Sequence, residues 1–383
     1  MKVLFLSAWY PHRNDPMSGL FVRKHAEAVA LYANVAVLYV VPDKNCTKPQ
    51  MVSSAINGIT EFVVYFPLPT SSYLYRLFVL INFVKAYLFG FKILHKAWGK
   101  PDVVQVSVLT RNAAIAYLYK LRYNIPYLVI EHWTRYFQPN TFQNYFHKKI
   151  TQFVVRNASI ILPVTMHLKT SMEYHGLKNK NYSIINNVVD KVFFRNQALI
   201  SNDIKNIISV TCFDDEQKNL SGMLRVIQKL YAVRSDFKLT LIGTGIDFEK
   251  IKTQAVEMNL LNKAVFFTGM LQGENLVDAY YNCNFSILFS NHENIPVVIS
   301  ESLVCGKPVI STNVGGISEH IDASNGILIE ANDEDALLKA LNQMLDNYDL
   351  YNSKLIGENA ATKYSSEYIG NELFNHYKSV VSK

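Results

Sequence analysis

Cysteine is scarce in this chain, with four in 383 residues, at positions 46, 212, 283 and 305. No pair has metal-clip spacing, and a disulfide scaffold is far denser in cysteine. The four read as buried free thiols in a reducing compartment. Internal repeats and low-complexity tracts are missing as well. A long charge-free apolar run is also lacking: in the most apolar stretch, 73–96, Lys85 interrupts the sequence, and Leu77–Val84 is far short of the roughly 20 residues a membrane span needs. The N-terminal MKVLFLSAWYPHRNDPMSG has too short an apolar run for a signal peptide and reads as a first strand entering a Pro-Gly loop. No Walker A sequence is present. Gly243-Thr244-Gly245 begins a dinucleotide fingerprint, but Phe248 stands where its third glycine belongs, which disfavours an NAD dehydrogenase.

Acidic residues are few in one half only. Residues 1–190 hold 21 Lys+Arg against 8 Asp+Glu, a balance of +13, whereas residues 191–383 hold 17 against 23, a balance of −6. Such asymmetry suggests that the first half faces something anionic, a membrane surface or a nucleic acid. No recognisable nucleic-acid-binding module accompanies the charge, so nucleic acid is not expected as a partner. The composition, 49% hydrophobic and 18% charged, excludes a disordered chain. The length suits two domains.

Strand and helix patterns alternate. Val3–Leu6, Val35–Val41, Ile59–Tyr65, Val103–Val106 and Tyr127–Ile130 read as strands, with helices at Leu20–Leu31 and Arg111–Arg122. Apolar runs such as VAVLYVV suit parallel strands covered on both faces. The pattern restarts with strands at Ile207–Thr211, Lys238–Ile242, Val265–Thr268, Phe285–Phe289 and Pro308–Ser311, with helices between them. This predicts an α/β protein of two Rossmann-like, doubly wound domains. The expected boundaries are 1–187 and 188–364, with a C-terminal helix at about 365–383 packing back on the first domain.

Plotted as a helix, 73–96 places Leu77, Leu80, Ile81, Val84, Leu88 and Phe91 on one broad apolar side. Lys85, Lys92 and Lys96 line another face, beside Phe78 and Phe89. Basic residues interleaved with aromatics suit contact with an anionic membrane.

Asp333-Glu334-Asp335 resembles an acidic metal motif, but it precedes ALLKAL and reads as a helix N-terminus, so no metal ligands are expected. The most informative stretch is Ser290–Glu319. Glu293 lies in a loop, Pro296 begins a helix, Glu301 lies within it, and Gly306 and Pro308 end it. The amides of Ile295, Pro296, Val297 and Val298 (proline excepted) would open onto a helix N-terminus suited to a diphosphate. Glu301 has the chemistry to bind a ribose diol, and Glu293 to hold hydroxyls of a second sugar.

Glu293-x7-Glu301 with SLVCGKPVIST, Val314-Gly315-Gly316-Ile317-Ser318-Glu319, Asn186–Asp190, His132 after a strand, and Ser18-Gly19-Leu20-Phe21-Val22 together resemble the retaining glycosyltransferases of family 4 over essentially the whole chain. The resemblance implies a GT-B fold, in which the two domains face each other across a cleft. It implies a nucleoside-diphosphate sugar, UDP- or GDP-linked, as co-substrate, no other cofactor and no metal. It matches Lys218 to the family's diphosphate-binding lysine, Glu301 to the ribose ligand and Glu293 to the residue that orients the sugar. His132 would lie by the anomeric carbon, Ser18 and Gly19 by the phosphates or acceptor, Gly315-Gly316 by the donor, and Met270-Leu271 by the base. The implied partner is a glycan or lipid-linked acceptor in polysaccharide or lipopolysaccharide assembly, at the cytoplasmic face of a membrane. The alternatives are a GT-B nucleotide-sugar epimerase and an inactive nucleotide-sugar-binding protein. One departure is plain: where the family carries Gly-Arg before the lysine, this chain has Cys212-Phe213. Arg23 and Arg111 are candidate substitutes for the missing guanidinium.

Overall fold

The computed structural model describes residues 1–69, 75–195, 204–294 and 296–382. These form two compact units: residues 1–164, 168–188 and 366–383, and residues 165–167 and 189–365.

The first unit contains β1 (Lys2–Ser7), α1 (Leu20–Ala30), β2 (Asn34–Asp43), β3 (Gln50–Ile56), β4 (Ile59–Pro67), α2 (Tyr75–Ala97), β5 (Val103–Ser107), α3 (Arg111–Tyr123), β6 (Tyr127–Glu131), α4 (Tyr145–Asn157), β7 (Ile160–Pro163) and, from Leu168 on, α5 (Met166–Tyr174). Its sheet runs β3-β4-β2-β1-β5-β6-β7. All pairs are parallel except β3 with β4. β1 and β2 are buried almost throughout, as strands covered on both faces must be. The connections from β4 to β5, β6 and β7 step one way along the sheet, and that from β1 to β2 steps the other. Right-handed crossovers therefore put α2, α3 and α4 on one face and α1 on the opposite face.

The second unit contains β8 (Lys205–Val210), α6 (Asp215–Lys218), α7 (Leu220–Tyr231), β9 (Phe237–Ile242), α8 (Phe248–Glu257), β10 (Val265–Gly269), α9 (Gly273–Tyr281), β11 (Phe285–Leu288), α10 (Val297–Val304), β12 (Val309–Thr312), β13 (Gly326–Ile329), α11 (Glu334–Asn347) and α12 (Ser353–Tyr364). Its sheet, β10-β9-β8-β11-β12-β13, is parallel throughout. Asp333 caps α11 by accepting the Ala336 N–H at 2.8 Å. The last helix, α13 (Ser366–Val381), belongs to the first unit and lies along α1, where Tyr32 and Phe374 stack with ring centroids 6.0 Å apart.

Two expectations need correction. Cys212 is exposed, while Cys46, Cys283 and Cys305 are buried free thiols. The apolar side read for α2 is its outer side: Leu77, Leu80, Ile81, Val84 and Leu88 are exposed, and Phe83, Ala86, Tyr87, Gly90 and Leu94 are the residues buried. The helix is apolar nearly all round, so periodicity alone does not identify the face that meets the sheet. Its 23 residues are long and apolar enough to cross a membrane by length and composition. Here its inner face packs on β2 and β4, and Tyr87 donates to Asn112 on α3 at 3.0 Å.

Candidate active site

In an open parallel sheet, ligands bind beyond the C-terminal strand ends where the strand order reverses. In the second unit that point lies between β8 and β11, because β8, β9 and β10 run outward one way and β11, β12 and β13 the other. The connection after β8 leads into α6, whose last residue is Lys218. The connection after β11 holds Ser290 to Asn294. Asp214 caps α6 by accepting the Gln217 N–H at 3.2 Å. Asn219 then adopts a left-handed conformation (φ 49°), which ends the helix one turn after it begins.

The two connections are bonded together. Asn291 N–H donates to Gln217 O at 2.8 Å, Gln217 Nε2 donates to His292 O at 3.2 Å, and Asn291 Nδ2 donates to Glu216 O at 2.9 Å. Lys218 Nζ donates to Glu293 Oε1 in a buried ion pair, and Ser290 Oγ donates to the same oxygen at 2.8 Å. Thr312 Oγ1 holds the Ser290 carbonyl at 2.7 Å. A cation and a carboxylate thus meet where a doubly wound sheet presents its ligand site.

Gly315 and Gly316 follow β12. Gly315 has φ +60°, and a Cβ there would collide with the Glu293 carbonyl oxygen. Gly316 N–H donates to Asn294 O at 3.0 Å. These glycines let the chain close against the back of the Glu293 loop. Pro296 takes the N-cap position of α10, one residue earlier than the sequence suggests, with Val297 and Val298 in the first turn. First-turn amides have no partner within their own helix. Ile295 lies outside the described residues.

Glu301 lies on the same helix, half-buried, and accepts from Tyr280 Oη at 3.1 Å. Burial pushes its carboxyl up to about 7, and the nearby Asp190 charge adds to the rise. Met270 is exposed at the end of β10, and Leu271 packs into the core of the unit. Gly243 N–H donates to Gly269 O at 2.9 Å, so the ends of β9 and β10 are joined beside these residues.

Phe213, at the position of the missing guanidinium, is fully buried against Phe248 and Phe267, with ring centroids 4.9 and 6.0 Å away. The second unit's three arginines are all held by carboxylates: Arg195 by Glu274 and Asp278, Arg225 by Glu334, and Arg234 by Asp236 and Asp346. In the first unit Arg23 pairs with Glu61 at 3.0 Å, while Arg111 is exposed with its guanidinium 6.0 Å from the Phe83 ring.

The first unit brings together His132 and the Gly19 loop. Gly19 has φ +61° and is pressed against the Trp9 carbonyl, and Ser18 N–H donates to Asp15 Oδ1 at 3.1 Å. Phe21, two residues on, packs its ring 4.3 Å from that of His132, and Trp9 meets Trp133 at 5.4 Å. Burial pushes the His132 imidazole well below its ordinary range, with His25 adding to the effect, so it is neutral at pH 7.

Glu131, which the sequence reading passes over, organises this region. Its buried carboxylate accepts the N–H groups of Leu109 (2.8 Å), His132 (2.8 Å) and Trp133 (2.9 Å). Desolvation still outweighs those bonds and pushes it up to about 7. Beside it, Val108 has φ +68°, a strained conformation for a β-branched residue. An acidic residue closing a strand immediately before a candidate histidine is the one sequence signal that could have found Glu131.

Comparison with known proteins follows the same lines. Residues 190–362 match the family described as Glycosyl transferases group 1. An uncharacterised glycosyltransferase of Methanocaldococcus jannaschii is 26% identical over 279 residues, covering 72% of this chain and 73% of that protein. The N-acetylgalactosamine-N,N'-diacetylbacillosaminyl-diphospho-undecaprenol 4-alpha-N-acetylgalactosaminyltransferase of Campylobacter jejuni is 25% identical over 217 residues, covering 55% of this chain and 57% of that one. Among solved structures, Anabaena HepE in complex with UDP superposes with a TM-score of 0.73 at 14% identity, covering 99% of this chain and all of that one. The chain thus has the GT-B fold, and its second unit, matched from 190 to 362, is similar to the group 1 glycosyltransferases.

Proposed function

We propose that this glycosyltransferase moves a sugar from a UDP- or GDP-linked donor to a glycan or lipid-linked acceptor, with retention of anomeric configuration. The observation that carries the reading is the Lys218–Glu293 pair at the strand-order reversal of the second unit. A nucleoside diphosphate placed there meets the Lys218 ammonium and the amides opening α10, which together neutralise charge as the diphosphate departs. These fixed charges do the electrostatic work that a metal ion would otherwise do. Glu301 takes the ribose hydroxyls, Glu293 orients the sugar, and Met270 and Leu271 border the base. The acceptor hydroxyl attacks from the face the diphosphate leaves, and a donor phosphate oxygen takes its proton. His132, Ser18 and Gly19, which lie in the first unit, are candidates for contact with the acceptor.

HepE, whose structure contains UDP, supports the donor class, and the diphospho-undecaprenol named for the C. jejuni relative supports a lipid-linked acceptor. That reading suits polysaccharide or lipopolysaccharide assembly on the cytoplasmic leaflet. Lys85, Lys92 and Lys96 are exposed on α2, with Phe78 exposed and Phe89 half-buried beside them, as contact with anionic lipid requires. A second reading, a nucleotide-sugar binder without turnover, is favoured by the burial of Phe213 where the family has arginine.

Incubation with nucleotide-sugar donors and a polyprenyl-diphosphate glycan acceptor, followed by NMR of the product anomeric proton, tests these readings. Retained configuration supports the proposal. An altered sugar from donor alone indicates an epimerase, and binding without product indicates the inactive binder.

A further inference from the structure

A trough of about 430 Å³ runs between α2 and α3. This falls within the roughly 300–1,000 Å³ that small-molecule sites occupy. Val84, Leu88 and Phe91 line it from α2, and Ile115, Leu118 and Tyr119 from α3. Leu88 and Leu118 are 64% and 58% exposed, so the apolar walls stand open to their surroundings. Both helices join parallel strands on one face of the sheet and run in the same direction, so their C-terminal ends lie together. At that end the lining turns polar, with Lys92 and His95 on α2 and Arg122 on α3. From Val84 to His95 the helix rises about 16 Å, close to the roughly 15 Å of one leaflet's hydrocarbon. Neither α2 nor α3 contains an Asp or Glu, and the next helix on this face, α4, has none either.

An apolar trough ending in cations, between helices that carry no carboxylate, is complementary to a molecule with a hydrocarbon chain and an anionic end. We propose that the trough between α2 and α3 holds the hydrocarbon chain of a phosphate-bearing lipid, with the phosphate between Lys92 and Arg122. The assignment rests on the membrane-contact reading of α2: the cations lie where α2 and α3 lead into β5 and β6, at the opposite strand ends from His132, so the lipid is one of the membrane and not the acceptor. It adds a chain-binding site formed by two helices, of which only α2 was expected from the sequence to meet lipid. The chain lies along Leu88 and Leu118, and the cations fix its direction. The His95 imidazole, 2.6 Å from Tyr119 Oη, closes the floor at the polar end.

Calorimetric titration of the full chain with decyl phosphate below its micelle concentration tests the site, with inorganic phosphate and decanol as separate arms. Saturable 1:1 binding of decyl phosphate is expected, with no heat from inorganic phosphate. Leu88→Glu combined with Leu118→Glu should weaken binding at least tenfold. Leu121→Glu, on α3 but outside the trough, should leave it unchanged. Arg122→Ala should weaken decyl phosphate while sparing decanol. Equal affinity in the trough and control variants, or equal binding of inorganic phosphate, would overturn the proposal. Sedimentation with vesicles containing 30% phosphatidylglycerol separates the two levels. Vesicle binding without decyl phosphate binding removes the trough and keeps the membrane contact, whereas decyl phosphate binding without vesicle binding removes the membrane contact and keeps the trough. All the substituted side chains are exposed, and an unchanged melting temperature confirms each fold.

Discussion

Lys218 Nζ and Glu293 Oε1 form an ion pair that ties the connection after β8 to the connection after β11, and Ser290 donates to the same carboxylate oxygen. The pair is buried, with side-chain exposures of 10% and 7%. Buried pairs are expensive to break on one side, because the remaining charge loses its partner. Lys218→Met should therefore destabilise the chain by about 3–5 kcal/mol in urea unfolding. The double variant Lys218→Met/Glu293→Gln should recover part of that loss. Additive losses would mean that the two side chains are not coupled.

Removing the Glu293 carboxylate while keeping its shape tests the chemistry, provided turnover is measured well below the variant's melting temperature, because Lys218 then loses its buried partner. Glu293→Gln should lower kcat by about 10²–10³, the range for losing one preorganised electrostatic contact, with circular dichroism unchanged. Full retention of turnover would remove Glu293 from the site.

Gly315 and Gly269 offer a controlled pair. Both have positive φ, at +60° and +72°, but only a Cβ at Gly315 collides with a neighbour, the Glu293 carbonyl. Alanine at either position incurs the left-handed backbone penalty of about 1–2 kcal/mol. Gly315→Ala should cost more than Gly269→Ala and should also lower kcat, because the Glu293 loop must shift. Equal melting temperatures for the two variants would contradict this packing.

The raised carboxyl of Glu301 gives a pH signature. Its folded value, about 7, lies above the ordinary carboxylate value, so between roughly pH 4.5 and 7 the folded state binds more protons than the unfolded state. Stability from this group is present below that window and is lost as pH rises through 7. Glu131 has the same sign and a similar value. Buried His25, His132 and His320, shifted downward, act in the opposite direction as pH falls. Comparing Glu301→Gln with wild type isolates one group: the variant should lose less stability between pH 5 and 8. Parallel melting curves would contradict the assignment.

Phe213→Arg tests whether the family's guanidinium can simply be restored. Phe213 is packed among Phe248 and Phe267, so an arginine there would bury an unpaired charge. The variant should melt at a lower temperature without a rise in kcat. Higher activity at unchanged stability would show that the position opens onto the site.

Much of the fold is legible in the chain because its parallel strands are short and apolar throughout, as in VAVLYVV of β2. The exceptions have physical reasons. β3, QMVSSAI, is an exposed antiparallel edge strand and carries a polar pattern. β7 and β13 are only four residues long. α2 is apolar nearly all round, so its buried side is set by Gly90 and Tyr87 meeting the sheet and α3 rather than by periodicity. In the candidate site, the motif order marks Lys218, Glu293 and Glu301 individually. The salt bridge between residues 75 apart comes from the reversal of strand order, which local sequence does not encode. Ser290, Tyr280 and Glu131 were missed for the same reason, because each acts by holding another group in place.

The proposed donor site lies over Lys218 at the β8–β11 reversal. Isothermal titration of wild type and Lys218→Met with UDP and with GDP measures this directly. Saturable 1:1 binding of at least one of the two by the wild type is expected, weakened at least tenfold in Lys218→Met. No heat from either nucleotide, or the same affinity in both proteins, would contradict it.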